Sequence, residues 1–414
     1  MRSPVISLVL AAGLSLAADP VTLTGKVTDS LGKPLPDALV MIYHAGVKHG
    51  YSTFCPSCYI DCGKHADTDQ TGAFTIKGLD SDLKFELLVV RDGYLAKLVP
   101  NVDPSAGPPP TAALAPRVKV TDPARVVHGR VLDSDGQPVR AAVIEPIGIE
   151  YIDEHRGLLS TYGTIEGLEP MAVTNVSGEF ELAYASPAMG MLLRVEARAM
   201  AQKVITAQTG PEPTTVTVAL GGVIRGRLMN HGQPVAGALV GLMPRWRGGF
   251  GGHLKVFGDP YDEIRIGTQP DGTFVITNVP AHVDWYLYGK MESIGALGAT
   301  EPKEISSGAD GEDVDAGVIE IHPGHLLRGK VTLSDGASLR SGMRVTISST
   351  RAWDSQTVAL ASDGSFEFSS LASGKYEIFP SVRGYRLQDN QRVLETTVDR
   401  DVDNFTVPIE PNRR

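Results

Sequence analysis

Residues 25–40 read GKVTDSLGKPLPDALV, and residues 129–144 read GRVLDSDGQPVRAAVI. Residues 226–240 repeat the pattern as GRLMNHGQPVAGALV, and residues 329–347 carry a weaker copy, GKVTLSDGASLRSGMRVTI. The opening glycines Gly25, Gly129, Gly226 and Gly329 lie 104, 97 and 103 residues apart, and self-similarity at such a period marks repeated structural units. Each copy reads as a strand, a Gly-x-Pro turn, and a second strand whose small Ala lets two sheets approach.

A second half follows in every copy: TDQTGAFTI at 68–76, TNVSGEFEL at 174–182, TQPDGTFVI at 268–276 and ASDGSFEF at 361–368. Each predicts a tight turn, with Gly supplying a positive φ, that feeds a strand alternating aromatic and polar side chains. A third, shorter signature occurs twice, RDGY at 91–94 and RGYR at 383–386. Units of about 90–100 residues are long enough for a sandwich core of their own. With 45 Gly and 28 Pro in 414 residues, interruptions come too often for long helices, and the chain reads as all-β.

Charge and the first residues bound the function. The formal net charge is −10, which argues against nucleic acid as a partner, because such binding rests on neutralising phosphate. Arg2, the apolar run Val5–Leu16 and the small residues Ser15 and Ala17 read as a secretory signal peptide cut after Ala17 or Ala18. The run is shorter than the roughly 20 residues needed to cross a bilayer. No membrane span is expected, and the mature chain is expected to be periplasmic or secreted.

The opening G-x-V-x-D-x-x-G-x-P-[LV]-x-x-A-x-V, followed by T-D-x-x-G-x-F, resembles carboxypeptidase regulatory-like domains, over nearly the whole mature chain. The resemblance implies a tandem array of four prealbumin-like (transthyretin-like, carbohydrate-binding-like) Greek-key β-sandwich domains. The units are expected at 19–120, 121–220, 221–322 and 323–414, after a leader at 1–18, with few contacts crossing the linkers near 120–124, 220–222 and 322–325. For function it implies a module appended to other proteins without catalysing anything, and fold alone does not give function.

The copies differ between their two halves. From opening Gly to second-half Gly the separations are 47, 49, 46 and 35 residues, so copies one to three carry insertions, at roughly 43–67, 148–170 and 244–266, that copy four lacks. Loops on a rigid scaffold commonly hold binding residues. The first insertion holds all three cysteines, as Cys55-x2-Cys58-x3-Cys62-x2-His65. Three thiolates and an imidazole within 11 residues could close a tetrahedral zinc or copper site; alternatively, in an oxidising compartment, a disulfide would form and leave one thiol over. Tyr59 stands where a CxxCH haem-attachment motif needs His. The third insertion carries Trp246, Phe250 and Tyr261 among glycines and arginines. Together with Tyr51 in the first, these are candidate contacts for a glycan, peptide or protein partner, against the plainer reading that the rings pack their own loop.

Residues 32–76 also resemble the start of the catalytic domain of intradiol ring-cleaving dioxygenases. There HAGVKHGYS (44–52) places Tyr51 at the first ferric-iron ligand position, with Tyr43 in place of a Trp. The family completes its iron site with a second Tyr and a His-x-His pair, and no His-x-His occurs in this chain. No GxSxG, HExxH or Walker pattern is present either. The reading is therefore an exported, non-catalytic binding or scaffold protein. The alternatives are a dioxygenase-like iron enzyme and a purely structural cell-surface spacer.

Overall fold

The computed structural model describes residues 20–245, 264–339, 342–352 and 354–412. The leader at 1–18 and the third insertion's Trp246, Phe250 and Tyr261 lie outside the described residues. The chain forms four β-sandwiches of one topology. In the first, strand Val21–Asp29 lies between Ala73–Leu79, antiparallel to it, and Thr111–Leu114, parallel to it. The facing sheet runs in the order His65–Asp67, Leu39–Val47, Leu83–Val90, Lys97–Val102. The opening strands Val126–Leu132, Gly222–Asn230 and His325–Leu333 sit in the same way between an antiparallel neighbour and a parallel last strand. Because first and last strands run parallel, the chain enters each sandwich at one end and leaves at the other.

The repeat motif marks where the strands touch most closely. Gly25, Gly129, Gly226 and Gly329 are the register partners of Phe74, Phe180, Phe274 and Phe366. A Cβ on each glycine would stand only 2.4, 2.2, 2.5 and 2.5 Å from the ring's Cζ. The opening glycine is thus required by a ring lying across it, a cross-strand pairing known to rescue glycines in sheets. The second-half glycines have the other reason: Gly72, Gly178, Gly272 and Gly364 adopt φ of +73°, +75°, +78° and +87°, where a side chain is strained. Their carbonyls accept hydrogen bonds from Val27, Val131, Leu228 and Val331 at 2.8–2.9 Å, tying the turn to the opening strand.

A buried threonine completes the motif in three copies. The hydroxyls of Thr68, Thr174 and Thr268 donate to the carbonyls of Leu35, Val139 and Val235, and accept from the N–H of Ala38, Ala142 and Ala238. Those alanines are essentially inaccessible, so any larger residue would push the sheets apart. Copy four has Leu360 in the threonine's place and Met343 in the alanine's, which accounts for its weaker signature.

The linkers differ from the expectation of few crossing contacts. Arg117 makes two hydrogen bonds to the Glu169 carboxylate, at 2.7 and 2.9 Å, and a third to the Glu181 carbonyl, joining the first linker to the second sandwich. Gly221 and Gly311 hydrogen bond to Ala199 and Leu220 across the second linker. Between the third and fourth sandwiches, buried Lys290 lies 3.9 Å from buried Asp354, which also accepts from the Met291 N–H at 2.7 Å. The linkers are so short that adjoining sandwich ends must pack on one another.

Gly129→Ala is expected to destabilise the protein by about 1–3 kcal/mol, the usual cost of overpacking, because the added methyl meets only the Phe180 ring. Adding Phe180→Leu should recover part of that loss. Denaturant unfolding of both variants checks this, and strict additivity of the two losses would show that the ring does not impose the glycine.

Candidate functional site

Strand Leu39–Val47 carries the first insertion at its end, and its irregularity builds the site. Ile42 pairs with Leu87 and His44 with Glu86, leaving Tyr43 as the extra residue of a β-bulge. The same offset from the opening glycine holds a bulge in copy two, where Leu192 pairs with Gly148 and Leu193 with Pro146. Copy three, with an insertion, and copy four, without one, pair their equivalent strands with no shift. A bulge re-aims side chains. Here Ile42 stays in the first core while Tyr43 is buried outside it, with Leu88 and with Val143 of the second sandwich.

Charged groups collect at this joint. His44 Nδ1 lies 2.9 Å from the Glu86 carboxylate, and the Tyr43 hydroxyl lies within the influence of Glu196 of the second sandwich. Burial first, then the carboxylates of Glu196 and Glu86, pushes the Tyr43 hydroxyl far above its ordinary value. Burial also raises the Glu196 carboxyl, against the opposing influence of His44 and Arg194 and with the help of Glu145 and Glu86.

Beyond Tyr51 the insertion folds on itself and crosses to the third sandwich. Cys55 and Cys58 are joined by a disulfide, their Cα atoms 5.2 Å apart. Ser52 Oγ and the Tyr59 hydroxyl lie 2.6 Å apart, and the Phe54 and Tyr59 rings meet edge to face at 5.5 Å. The Asn278 amide donates to Ser57 Oγ at 3.3 Å and to Cys55 Sγ at 3.4 Å, while Thr277 Oγ1 lies 3.2 Å from Cys58 Sγ. The Gly267 N–H donates to the Ser52 carbonyl at 2.6 Å. A Cβ on Gly267 would fall 2.8 Å from Tyr51 Cβ, so glycine is what allows this approach. Sandwiches one, two and three thereby enclose a cavity of about 340 Å3 between Tyr43, Glu196, Arg140, Arg198, Asn278 and the disulfide loop.

The structure does not gather Cys55, Cys58, Cys62 and His65 into one tetrahedral set. The bridge uses two of the thiols. Cys62 is buried, its thiol donating to the Pro56 carbonyl at 3.3 Å. His65 is exposed on the edge strand, paired in register with Met41, with Nδ1 3.0 Å from the Gly63 carbonyl. Among the described residues, no group of three or more His, Cys, Asp or Glu side chains is placed to hold a metal. Tyr51 is 38% exposed and belongs to the docked segment, not to the cavity wall. Glu196, Arg198 and Asn278 are not apparent from the insertion itself, because they come from copies two and three. Only Tyr43, in a segment that resembles a catalytic strand, carried a local signal.

Residues 322–408 match the family model of the second β-sandwich domain of NOMO1-like subunits of the BOS complex. This supports the sandwich fold of the fourth copy directly. No curated protein matches the chain. Solved structures that resemble it include the Bacillus anthracis TIE protein, at 11% identity and a TM-score of 0.20, covering 95% of this chain and 75% of that one. A Streptococcal ancillary pilin matches at 11% identity and a TM-score of 0.23 over 70% of this chain and all of its own. The minor pilin GBS52 of Streptococcus agalactiae matches at 13% and 0.25 over 47% and 97%. No described helix is long and apolar enough to cross a membrane.

Two outcomes follow from the site. Denatured, unreduced protein should titrate one thiol, and that thiol should be Cys62, which burial holds above the ordinary thiol range despite nearby Arg198. In the native state it should alkylate far more slowly than after unfolding. Three thiols titrating without reductant would show that the bridge does not form.

The second concerns pH. A carboxyl raised on folding binds its proton more tightly in the folded state, so its stabilisation is full below the unfolded value and is lost as pH rises through the folded one. Wild type should therefore lose stability relative to Glu196→Gln as pH is raised from the ordinary glutamate range. Melting temperatures that run parallel for the two proteins across that range would refute this.

Proposed function

We propose that the chain is an exported, non-catalytic scaffold of four carboxypeptidase regulatory-like sandwiches, at 19–120, 121–220, 221–322 and 323–414, whose first insertion is a clasp. The observation that carries this reading is the docking of the disulfide loop of copy one on Gly267, Thr277 and Asn278 of copy three. A loop held by its own disulfide and by hydrogen bonds to another domain serves to fix domain orientation, and it forms a cavity that no single sandwich has. Export fits a bridge between Cys55 and Cys58, which persists only in an oxidising compartment. A glycan, peptide or protein would meet such a scaffold at its loop-bearing joints.

The non-catalytic part is supported by the use made of Tyr51. The segment that resembles an iron-ligand loop is packed against Gly267, where docking rather than coordination fixes the backbone. A visible tyrosinate-to-iron band that disappears in Tyr51→Phe would replace this reading with a dioxygenase.

Gly267→Leu tests the clasp. The side chain should displace residues 51–52, because the nearest atoms to the glycine's Cβ position belong to Tyr51 and Ser52. Expected are faster proteolysis within residues 48–64 and a larger radius of gyration in X-ray scattering, with unchanged far-ultraviolet dichroism. An unchanged cleavage rate and radius would show that the loop does not hold the sandwiches together.

A further inference from the structure

The junction cavity has an uneven wall. Arg140 and Arg198 line it from the second sandwich and are exposed, and neither has an ion-pair partner among the described residues. Arg198 is held against the clasp: a Cβ on Gly63 would stand 2.8 Å from its Nη1. Two cations lining one cavity, in a chain whose net charge is −10, make it a local site for an anion. Elsewhere the wall carries apolar side chains, with Met41, Met200 and Ile264 half-buried along it. Methionines fit irregular apolar shapes well. Glu196, beside Tyr43, is the one carboxyl among the lining residues, against the two arginines.

We infer that this cavity binds a small amphiphile with a single carboxylate head, the head at Arg140 and Arg198 and the apolar body against Met41, Met200 and Ile264. A carboxylate matches the planar donor fork of arginine better than a point acceptor does. The volume, about 340 Å3, lies at the small end of the range of ligand sites, roughly 300–1,000 Å3. A cationic amphiphile would be repelled at the rim. A neutral one would leave both guanidinium groups unanswered. The inference rests on the clasp reading, since without the docked insertion the cavity has no third wall.

The test is calorimetric titration of the full chain with decanoate, decanol and decyltrimethylammonium, each below its micellar concentration. Decanoate should bind near one equivalent, and about tenfold or more tighter than the other two, the scale of one charge-assisted hydrogen bond. Arg140→Gln and Arg198→Gln should each weaken it about tenfold, and Arg198→Lys should weaken it less than Arg198→Gln. Both arginines are exposed, so these variants should melt like wild type. Equal binding of decanoate and decanol, or undiminished binding in the double glutamine variant, would overturn the inference. Proteolysis of residues 48–64 in the same samples separates the two readings. No decanoate binding with a protected insertion sinks the ligand and leaves the clasp, whereas rapid cleavage in wild type sinks both.

Discussion

A phenylalanine ring lying on a glycine of the neighbouring strand is the contact on which each sandwich is built. It pins the register between the opening strand and the strand after the second-half turn, since a slip by one residue would carry the ring to the other face. With that register set, the turn glycine's carbonyl meets the N–H two residues beyond the opening glycine, and the threonine hydroxyl reaches the Pro-x-x-x-Ala turn. The last strand then has one free edge to join, beside the opening strand and parallel to it. The motif is therefore a set of mutually dependent contacts, which is why it recurs as a unit.

Two of the three inserted copies carry a bulge on the strand that leads into the insertion. The bulges at Tyr43 and Ile147 sit at one offset from the opening glycine, at the strand that leads into an insertion. In copy one the bulge turns Tyr43 out of the core and into the joint with copy two, while the insertion beyond it reaches copy three. A single local irregularity thus couples three sandwiches. Copies one to three are joined through this element, and the fourth is joined differently.

The fold was legible because its determinants are local and repeated. Gly25, Phe74 and Thr68 all fall inside two short motifs, and four copies reveal what one would hide. The reason for the opening glycine was not legible: a strand glycine with ordinary φ gives no sign of which ring covers it. The site was legible only in part. The sequence places three cysteines and His65 within 11 residues, but strand pairing carries His65 to an exposed edge, and the bridge leaves Cys62 on its own. The partners that complete the cavity, Glu196, Arg198 and Asn278, lie more than 130 residues from Cys58, and no local pattern marks them. The insertion was read correctly as the variable element, but not as one that would bind its own chain.

The joints add polar and charged contacts to small apolar clusters, and this difference from the cores has a physical consequence. Apolar burial is non-directional, so two flat sandwich ends held by methyl groups alone could slide. A buried pair such as Lys290 and Asp354 adds little net stability, because desolvation offsets most of the attraction. Breaking it, however, leaves an uncompensated charge, at about 3–5 kcal/mol. The aligned docking of the fourth sandwich on the third brings Lys290 and Asp354 together and also satisfies the Met291 N–H. The Tyr43–Glu196 contact acts similarly at the first joint, and the hydrogen bonds of Asn278 act so at the clasp. A chain of small sandwiches thus acquires defined angles between its units through groups that contribute orientation more than stability. The fourth copy, having no insertion, is oriented by this pair together with the Arg351–Glu304 ion pair and the Ser370–Gly295 hydrogen bond.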